Sequence, residues 1–239
     1  LFTEKVYDKF PLLIKILDAS DNLSVQVHPE DEYAKVNENG ELGKTECWYV
    51  LDAKAGAKLV YGHSAKTKEE FNDKIDQEQW QELFIEEKVK VGDFFYIPAG
   101  TLHAIGEGIL IYEVQQNSDT TYRVYDYDRV DKEGNARELH IEKTKDVTMV
   151  PFERVTTNPK EEKNGKSTIT YLANEKYFSV FKINVLEQIF IEKNKTGNLF
   201  TVISGQGSVK IDGTSYEVKK GDSFILTTEC RAYTLEGDM

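Results

Sequence analysis

Short runs of β-branched and aromatic residues recur along the whole chain and constrain its fold more than any other feature. Turn residues, mainly Gly, Asn and Asp, separate one run from the next. The runs are Leu12–Leu17, Leu23–His28, Cys47–Leu51, Leu59–Tyr61, Phe94–Ile97 and Ile109–Val114, then Thr168–Leu172, Phe178–Val185, Leu199–Ile203, Ser208–Ile211, Tyr216–Val218 and Phe224–Leu226. Many short strands of this kind are typical of β-sandwiches and barrels. We therefore predict a mainly β protein.

A near-repeat predicts that two β units share one plan. Lys90–Gly106 (KVGDFFYIPAGTLHAIG) resembles Lys219–Gly237 (KKGDSFILTTECRAYTLEG), and the Gly-Asp pair of each segment aligns. The same offset places His103 opposite Ala232. Because the second copy has no histidine at this position, the fold does not require one. The histidine of the first copy therefore favours a chemical role.

Two domains are expected from this repeat and from the length of 239 residues. Their predicted bounds are 1–150 and 151–239. The polar stretch Thr156–Lys166 carries charge, Pro and Gly without an apolar period, and it is the best linker candidate.

Helices are predicted at two places in the first domain. Thr67 and Glu70 have the spacing of a capping box, and a partly helical apolar stripe follows them. We interpret Lys66–Phe84 as a helical insertion of one or two short helices. Pro29 followed by acidic residues is typical of a second helix start.

Composition excludes several classes of protein. Hydrophobic residues make up 39% of the chain, enough for a core, but no apolar run approaches the ~20 residues of a membrane helix. The net charge of -12 argues against nucleic acid and anionic membranes as partners. The two cysteines, Cys47 and Cys230, are too few for a disulfide framework, so a reduced, cytoplasmic location is expected.

Four polar residues in predicted strands or turns have the chemistry of metal ligands. Alternation along LSVQVH places Ser24, Gln26 and His28 on one face. Together with Glu46 and His103, His28 provides the nitrogen and carboxylate ligands that zinc prefers, and Gln26 adds a neutral oxygen. A lone buried histidine is more often a satisfied polar residue than a ligand, so only the joint pattern indicates a metal.

Four segments resemble one family closely. SVQVHPEDEYA, GKTECWYVLDA, IPAGTLHAIG and EVQQNSDTTYRVYDYDR are similar to the type I mannose-6-phosphate isomerases in their short bacterial form, which belong to the cupin superfamily. The resemblance covers Phe10 to about Arg129 and continues more weakly to the end of the chain. It implies two cupin-like β-barrel or jelly-roll domains, of which the second is metal-free. It also implies zinc held by Gln26, His28, Glu46 and His103.

The resemblance implies an isomerase that interconverts mannose 6-phosphate and fructose 6-phosphate through an enediol. A sugar phosphate is then the expected partner, bound by a monomer or weak homo-oligomer. Glu113 is the candidate general base, and burial raises the pKa of such a carboxyl while zinc or Arg123 lowers it, so both signs stay open. Arg123 is the candidate anchor for phosphate or for an enediolate. Lys44 and Ser24 are further candidates for substrate binding, and Lys44 is a rival proton-transfer group.

Each assignment has a structural alternative. Arg123 can pair with an aspartate of its own loop, namely Asp119, Asp126 or Asp128. Lys44 can be a solvated lysine, Glu113 a structural carboxylate bonded to the backbone, and Ser24 a hydroxyl satisfied locally.

Two other functions compete with an isomerase. One is a non-catalytic cupin that binds a sugar phosphate and has a regulatory or scaffolding role. The other is an iron oxygenase of the cupin type, and such enzymes commonly use more histidines.

Members of the family resembled here begin with residues that precede the equivalent of Leu1, so the N-terminal part of the first domain is expected to be missing.

Overall fold

The computed structural model describes residues 9–192 and 196–239, and the chain divides into two compact units. The larger unit is Phe10–Thr157, and the other includes Asn158–Met239. The strands of the larger unit are β1 (Leu12–Asp18), β2 (Val25–Val27), β3 (Glu46–Ala53), β4 (Lys58–His63), β5 (Phe84–Lys88), β6 (Phe94–Ile97), β7 (His103–Ala104), β8 (Ile109–Gln116) and β9 (Tyr122–Tyr125). Its helices are α1 (Asp31–Asn37), α2 (Lys68–Asp76), α3 (Trp80–Leu83) and α4 (Ile141–Val147).

Two antiparallel sheets build the larger unit. One has the strand order β1-β8-β3-β6 and the other β5-β4-β7-β2-β9. A buried cluster joins the two sheets, since Trp48 and Ile111 from the first pack in the same core as Leu59 and Tyr61 from the second. Side chains that point into this layer from either sheet can therefore meet, which is what positions the site described below.

The outer face of the five-stranded sheet is covered by helices. Val25 and Val27 are buried against Phe71 and Leu83 from α2 and α3. The alternation predicted for β2 is thus confirmed, with its valines on one face and its polar residues on the other.

The helical insertion is confirmed as two helices, although its last residue differs. The Thr67 hydroxyl accepts a hydrogen bond from the Glu70 backbone N–H at 3.2 Å. The Glu70 carboxylate in turn accepts from the backbone N–H of Lys66 at 2.8 Å, one residue before the N-cap. Phe84 does not close a helix but begins β5, because its backbone pairs with His63.

The smaller unit is built almost entirely from strands. They are β10 (Lys160–Asn164), β11 (Ser167–Asn174), β12 (Ser179–Asn184), β13 (Leu186–Glu192), β14 (Asn198–Thr201), β15 (Gln206–Ile211), β16 (Thr214–Lys219), β17 (Ser223–Leu226) and β18 (Ala232–Asp238). Among the described residues they form sheets of order β10-β11-β12, β13-β18-β15-β16 and β14-β17. The mainly β prediction is confirmed in both units.

The boundary between the two units, after Thr157, lies inside the predicted linker Thr156–Lys166, but the later part of that stretch is not a linker. Lys160–Asn164 pairs antiparallel with β11 as an edge strand, and Gly165 with φ of 62° turns the chain between the two strands. All five residues of β10 are exposed, so the strand needs no apolar face and its sequence shows no apolar alternation.

The near-repeat corresponds to one turn built twice. Gly92 and Gly221 have φ of 91° and 95°. Each turn accepts an equivalent backbone hydrogen bond. The Val50 N–H donates to the Asp93 carbonyl in the first copy, and the Val202 N–H donates to the Asp222 carbonyl in the second, both at 2.9 Å. With this offset His103 begins β7 and Ala232 begins β18.

None of the helices among residues 9–192 and 196–239 is long and apolar enough to cross a membrane.

Candidate active site

Three fully buried residues form a cluster that has the chemistry of a metal site. One ligand atom each from His28, Glu46 and His103 lies within 4.8 Å of the other two. Glu46 begins β3 in one sheet, whereas His103 begins β7 and His28 follows β2 in the other. The cluster therefore lies between the sheets of the larger unit, at one end of their shared core.

The tautomers of the two histidines follow from their outer hydrogen bonds. His28 Nδ1 lies 2.8 Å from the Thr120 carbonyl, and His103 Nδ1 lies 2.9 Å from the Thr101 carbonyl. A carbonyl can only accept, so each Nδ1 carries the proton and each Nε2 presents a lone pair. Both lone pairs face Glu46, with His28 Nε2 at 3.4 Å from Oε2 and His103 Nε2 at 3.3 Å from Oε1. This is the arrangement of metal-binding histidines.

The carboxylate of the cluster is charged and under-satisfied. Burial opposes the ionisation of Glu46, but the Lys44 ammonium holds its pKa well below the ordinary value. Lys44 Nζ lies 2.8 Å from Oε2, yet neither Glu46 oxygen receives a hydrogen bond of acceptable geometry from residues 9–192 and 196–239. Burial lowers the pKa of His28 to about 3 and also lowers the pKa of His103. Neutral histidines and an ionised carboxylate leave a site that is rich in electron pairs.

Gln26 lies beside the cluster, as the strand alternation predicts. Its backbone pairs with His103, and its side-chain amide nitrogen is 3.4 Å from His103 Nε2. The amide group of a glutamine can turn by 180° and exchange its nitrogen for its oxygen. Gln26 can thus present an oxygen to the same space.

Glu113 lies next to this cluster on β8. Trp48 Nε1 donates to Glu113 Oε1 at 3.3 Å, and the same indole ring packs edge-on against His103. Burial and the nearby Glu46 carboxylate raise the pKa of Glu113 to about 7. Its bond to a side chain contradicts the alternative of a carboxylate held by the backbone.

Two lysines approach the carboxylates. Lys44 is 5% exposed and lies 3.0 Å from His28 Nε2, so the alternative of a solvated lysine is wrong. Lys15 was not indicated by the sequence motifs. Its Nζ lies 3.4 Å from Glu113 Oε2 and donates to Gln115 Oε1 at 2.6 Å. A charged residue inside the apolar strand LLIKILD is the one signal that points to Lys15.

Arg123 pairs with Gln26 through the backbone and extends along the same face of the sheet. Its Nε donates to Ser24 Oγ at 3.3 Å, and its Nη1 donates to the Glu138 carbonyl at 2.9 Å. Among the described residues, no carboxylate lies within salt-bridge distance of its guanidinium. The predicted alternative of an ion pair with Asp126 is therefore wrong, because Arg129 and Arg137 occupy that carboxylate. The Ser24 hydroxyl accepts its bond from Arg123, which is distant in sequence, so the alternative of a locally satisfied hydroxyl is not what the structure shows.

The fold and the buried cluster together define a cupin with a candidate metal site made of two histidines and a glutamate. Family models agree with this class: the catalytic domain of type I phosphomannose isomerase matches residues 1–53, and the mannose-6-phosphate isomerase cupin domain matches residues 167–239.

Named relatives make the assignment more specific. The chain is 50% identical to mannose-6-phosphate isomerase ManA of Bacillus subtilis, over 99% of this chain and 75% of that protein. It is 45% identical to a mannose-6-phosphate isomerase of Streptococcus mutans, over 100% of this chain and 75% of that protein. The chain belongs to the type I mannose-6-phosphate isomerase family, a family of enzymes.

Solved structures support the same fold. The crystal structure of mannose 6-phosphate isomerase from Bacillus subtilis superposes with a TM-score of 0.94 at 42% identity, covering 98% of this chain and 74% of that one. A structure of a putative mannosephosphate isomerase from Archaeoglobus fulgidus shares the fold at a TM-score of 0.70 and 21% identity, covering 97% of this chain and 70% of that one. The cupin-like prediction is confirmed, with open sheets in place of closed barrels.

Proposed function

We propose that this chain interconverts mannose 6-phosphate and fructose 6-phosphate at the site between the two sheets of its larger unit, with zinc as cofactor. The single observation that carries the proposal is the convergence of two lone-pair nitrogens and an ionised, under-satisfied carboxylate in a fully buried cluster. The names of the relatives provide the substrate.

The donor set fits zinc. Two imidazole nitrogens and one carboxylate oxygen are typical of catalytic zinc sites, which keep a position open for a substrate oxygen. His28, Glu46 and His103 would hold the ion, and Gln26 would provide an oxygen as the fourth ligand. When bound, zinc would polarise a substrate oxygen and order the sugar in the site.

Glu113 is the group that we assign to proton transfer. An aldose and a ketose interconvert when a base moves one proton between C1 and C2 while a second proton moves between the oxygens on C2 and C1. The intermediate is an enediol. A base works best when its pKa lies near the working pH, and burial has raised the pKa of Glu113 to about 7. Trp48 holds one carboxylate oxygen through its indole N–H.

Positively charged residues of the site would bind the negatively charged phosphate of the substrate. The chain carries a net charge of -12, so local groups must attract the phosphate. Among the described residues, Arg123 donates to neutral acceptors, the Ser24 hydroxyl and the Glu138 carbonyl, and its charge is available for phosphate or for the developing enediolate. Ser24 lies beside it and can share a phosphate oxygen, and Lys44 provides a second cation next to the cluster.

A coupled assay tests this proposal. Mannose 6-phosphate conversion is measured before and after treatment with a chelator, and again after zinc is restored. We expect activity that the chelator removes and zinc restores. Sugar-phosphate binding without turnover would instead support the regulatory or scaffolding cupin, and activity that resists the chelator would remove zinc from the mechanism.

The location and assembly of the protein remain predictions. Both cysteines are free, which agrees with a reduced cytoplasmic compartment. Light scattering during size-exclusion chromatography tests the expected monomer or weak homo-oligomer.

A further inference from the structure

A buried carboxylate beside the candidate site has no place in the chemistry proposed above. Asp126 is 5% exposed. Arg137 forms a bidentate ion pair with it, in which Nε donates to Oδ2 at 2.7 Å and Nη2 donates to Oδ1. Arg129 donates to the same Oδ1 from Nη2. A two-armed bond between a guanidinium and a carboxylate fixes orientation as well as distance.

This ion pair connects the two ends of the loop formed by residues 126–139, which we call the 126–139 loop. Its base is closed by Arg123 and His140: the His140 N–H donates to the Arg123 carbonyl at 2.7 Å, and the Arg123 N–H donates to His140 Nδ1 at 3.1 Å. Asp126 is the first residue of the loop, and Arg137 lies two residues before its end.

The far end of the loop holds the Arg123 side chain. The acceptor for Arg123 Nη1 is the carbonyl of Glu138, the residue directly after Arg137. Glu138 itself is exposed and lies on an irregular segment, so the position of its carbonyl depends on what fixes its neighbour. The bond from Arg137 to Asp126 fixes the residue before Glu138, and the bonds between His140 and Arg123 fix the chain after it.

We propose that the Asp126–Arg137 pair positions Arg123, through the Glu138 carbonyl, for contact with the anionic substrate. Arg137 is thus a positioning residue and does not touch the substrate. Without the pair, the 137–139 segment moves toward solvent and the Arg123 guanidinium loses one of its two acceptors. The inference rests on the proposed function for the role of Arg123 in contacting the substrate.

Arg137 is the right residue to change. Its side chain is 52% exposed, and Arg129 remains on Asp126 when Arg137 is removed, so no buried charge is left unpaired. Arg137→Ala should therefore fold. Arg137→Lys keeps the positive charge but cannot form the bidentate bond to the carboxylate. Lys132→Ala removes a positive charge from an exposed position of the same loop and serves as the matched control.

A double-mutant cycle tests the proposal by activity. We expect Arg137→Ala to lower kcat/KM about tenfold, Arg137→Lys to lower it by nearly as much, and Lys132→Ala to leave it unchanged. Because the pair acts only through Arg123, adding Arg137→Ala to Arg123→Ala should cause no further loss. An equal loss in both backgrounds, or no loss in the parent background, would overturn the proposal.

A second measurement does not depend on activity. The ¹⁵N relaxation of the Arg123 Nε–Hε group should report faster and larger motion in Arg137→Ala than in the parent, with no change in Lys132→Ala. Unchanged relaxation in Arg137→Ala would contradict the inference. If the parent chain does not isomerise mannose 6-phosphate, the proposed function fails, and this relaxation measurement alone decides whether the pair positions Arg123.

Discussion

Replacing His103 by alanine should abolish metal binding while the fold survives. The second copy of the repeated turn carries Ala232 at the equivalent position, and β18 begins there as β7 does at His103. Alanine is therefore compatible with the backbone of this turn. What the variant loses is one of the two lone pairs that face Glu46, together with the bond from Nδ1 to the Thr101 carbonyl.

The magnitude follows from how the site is built. The ligand atoms lie within 4.8 Å of one another and their residues are fully buried, so the proposed zinc should bind the folded state without rearranging the strands that carry them. A ligand at 100 times its Kd stabilises the folded state by about 2.7 kcal/mol. For a folding unit of roughly 150 residues, each 1 kcal/mol raises Tm by about 2–4 °C. Zinc should thus raise the Tm of the parent by about 5–11 °C, and the Tm of His103→Ala much less.

Calorimetry with a matched histidine variant separates metal loss from damage to the core. Tm is measured with a chelator and with zinc for the parent, His103→Ala and His63→Ala. His63 is also buried and lies 2.9 Å from a backbone carbonyl, that of Met149, but it is not in the cluster. Its alanine variant should be less stable in both buffers and keep the full zinc shift. A zinc shift in His103→Ala as large as in the parent, or no shift in the parent, would refute the reasoning.

Three further results are expected. Glu113→Gln should lower kcat by about 10²–10⁴-fold and leave KM nearly unchanged in the coupled assay, because it removes the proposed base but keeps the shape of the side chain. Near-parental kcat with intact zinc content would assign the base to another group. Burial lowers the pKa of His63 from 6.5, so the unfolded chain binds a proton that the folded protein does not, and stability falls as pH drops below about 6.5. His63→Gln should weaken that pH dependence in urea titrations at pH 7.5 and 5.5, and an identical dependence would contradict the assignment. Thr67→Ala should cost about 1 kcal/mol of unfolding free energy in the same titrations, since α2 loses its N-cap bond; no loss would show that the cap is not stabilising.

Local features of the fold were predictable because neighbouring residues determine them. Strand runs, turn residues and the capping spacing at Thr67 all act over a few positions, and each is present in the structure. The edge strand Lys160–Asn164 was not predictable in this way. It is stabilised by pairing with β11 while every side chain stays in solvent, so its own composition shows only a polar segment.

Alternation along a strand shows which residues share a face, but the packing of the two sheets establishes which of them meet. Alternation alone places Gln26 beside His28, whereas Glu46 and His103 reach His28 only because strands distant in sequence lie in two facing sheets. The surroundings of Arg123 show the same limit. Asp126 is its nearest carboxylate along the chain. The loop nevertheless folds so that this carboxylate pairs with Arg129 and Arg137. Two charged residues interact according to their distance in space. Strand order and loop closure set that distance, and the spacing of the residues along the chain does not reveal it.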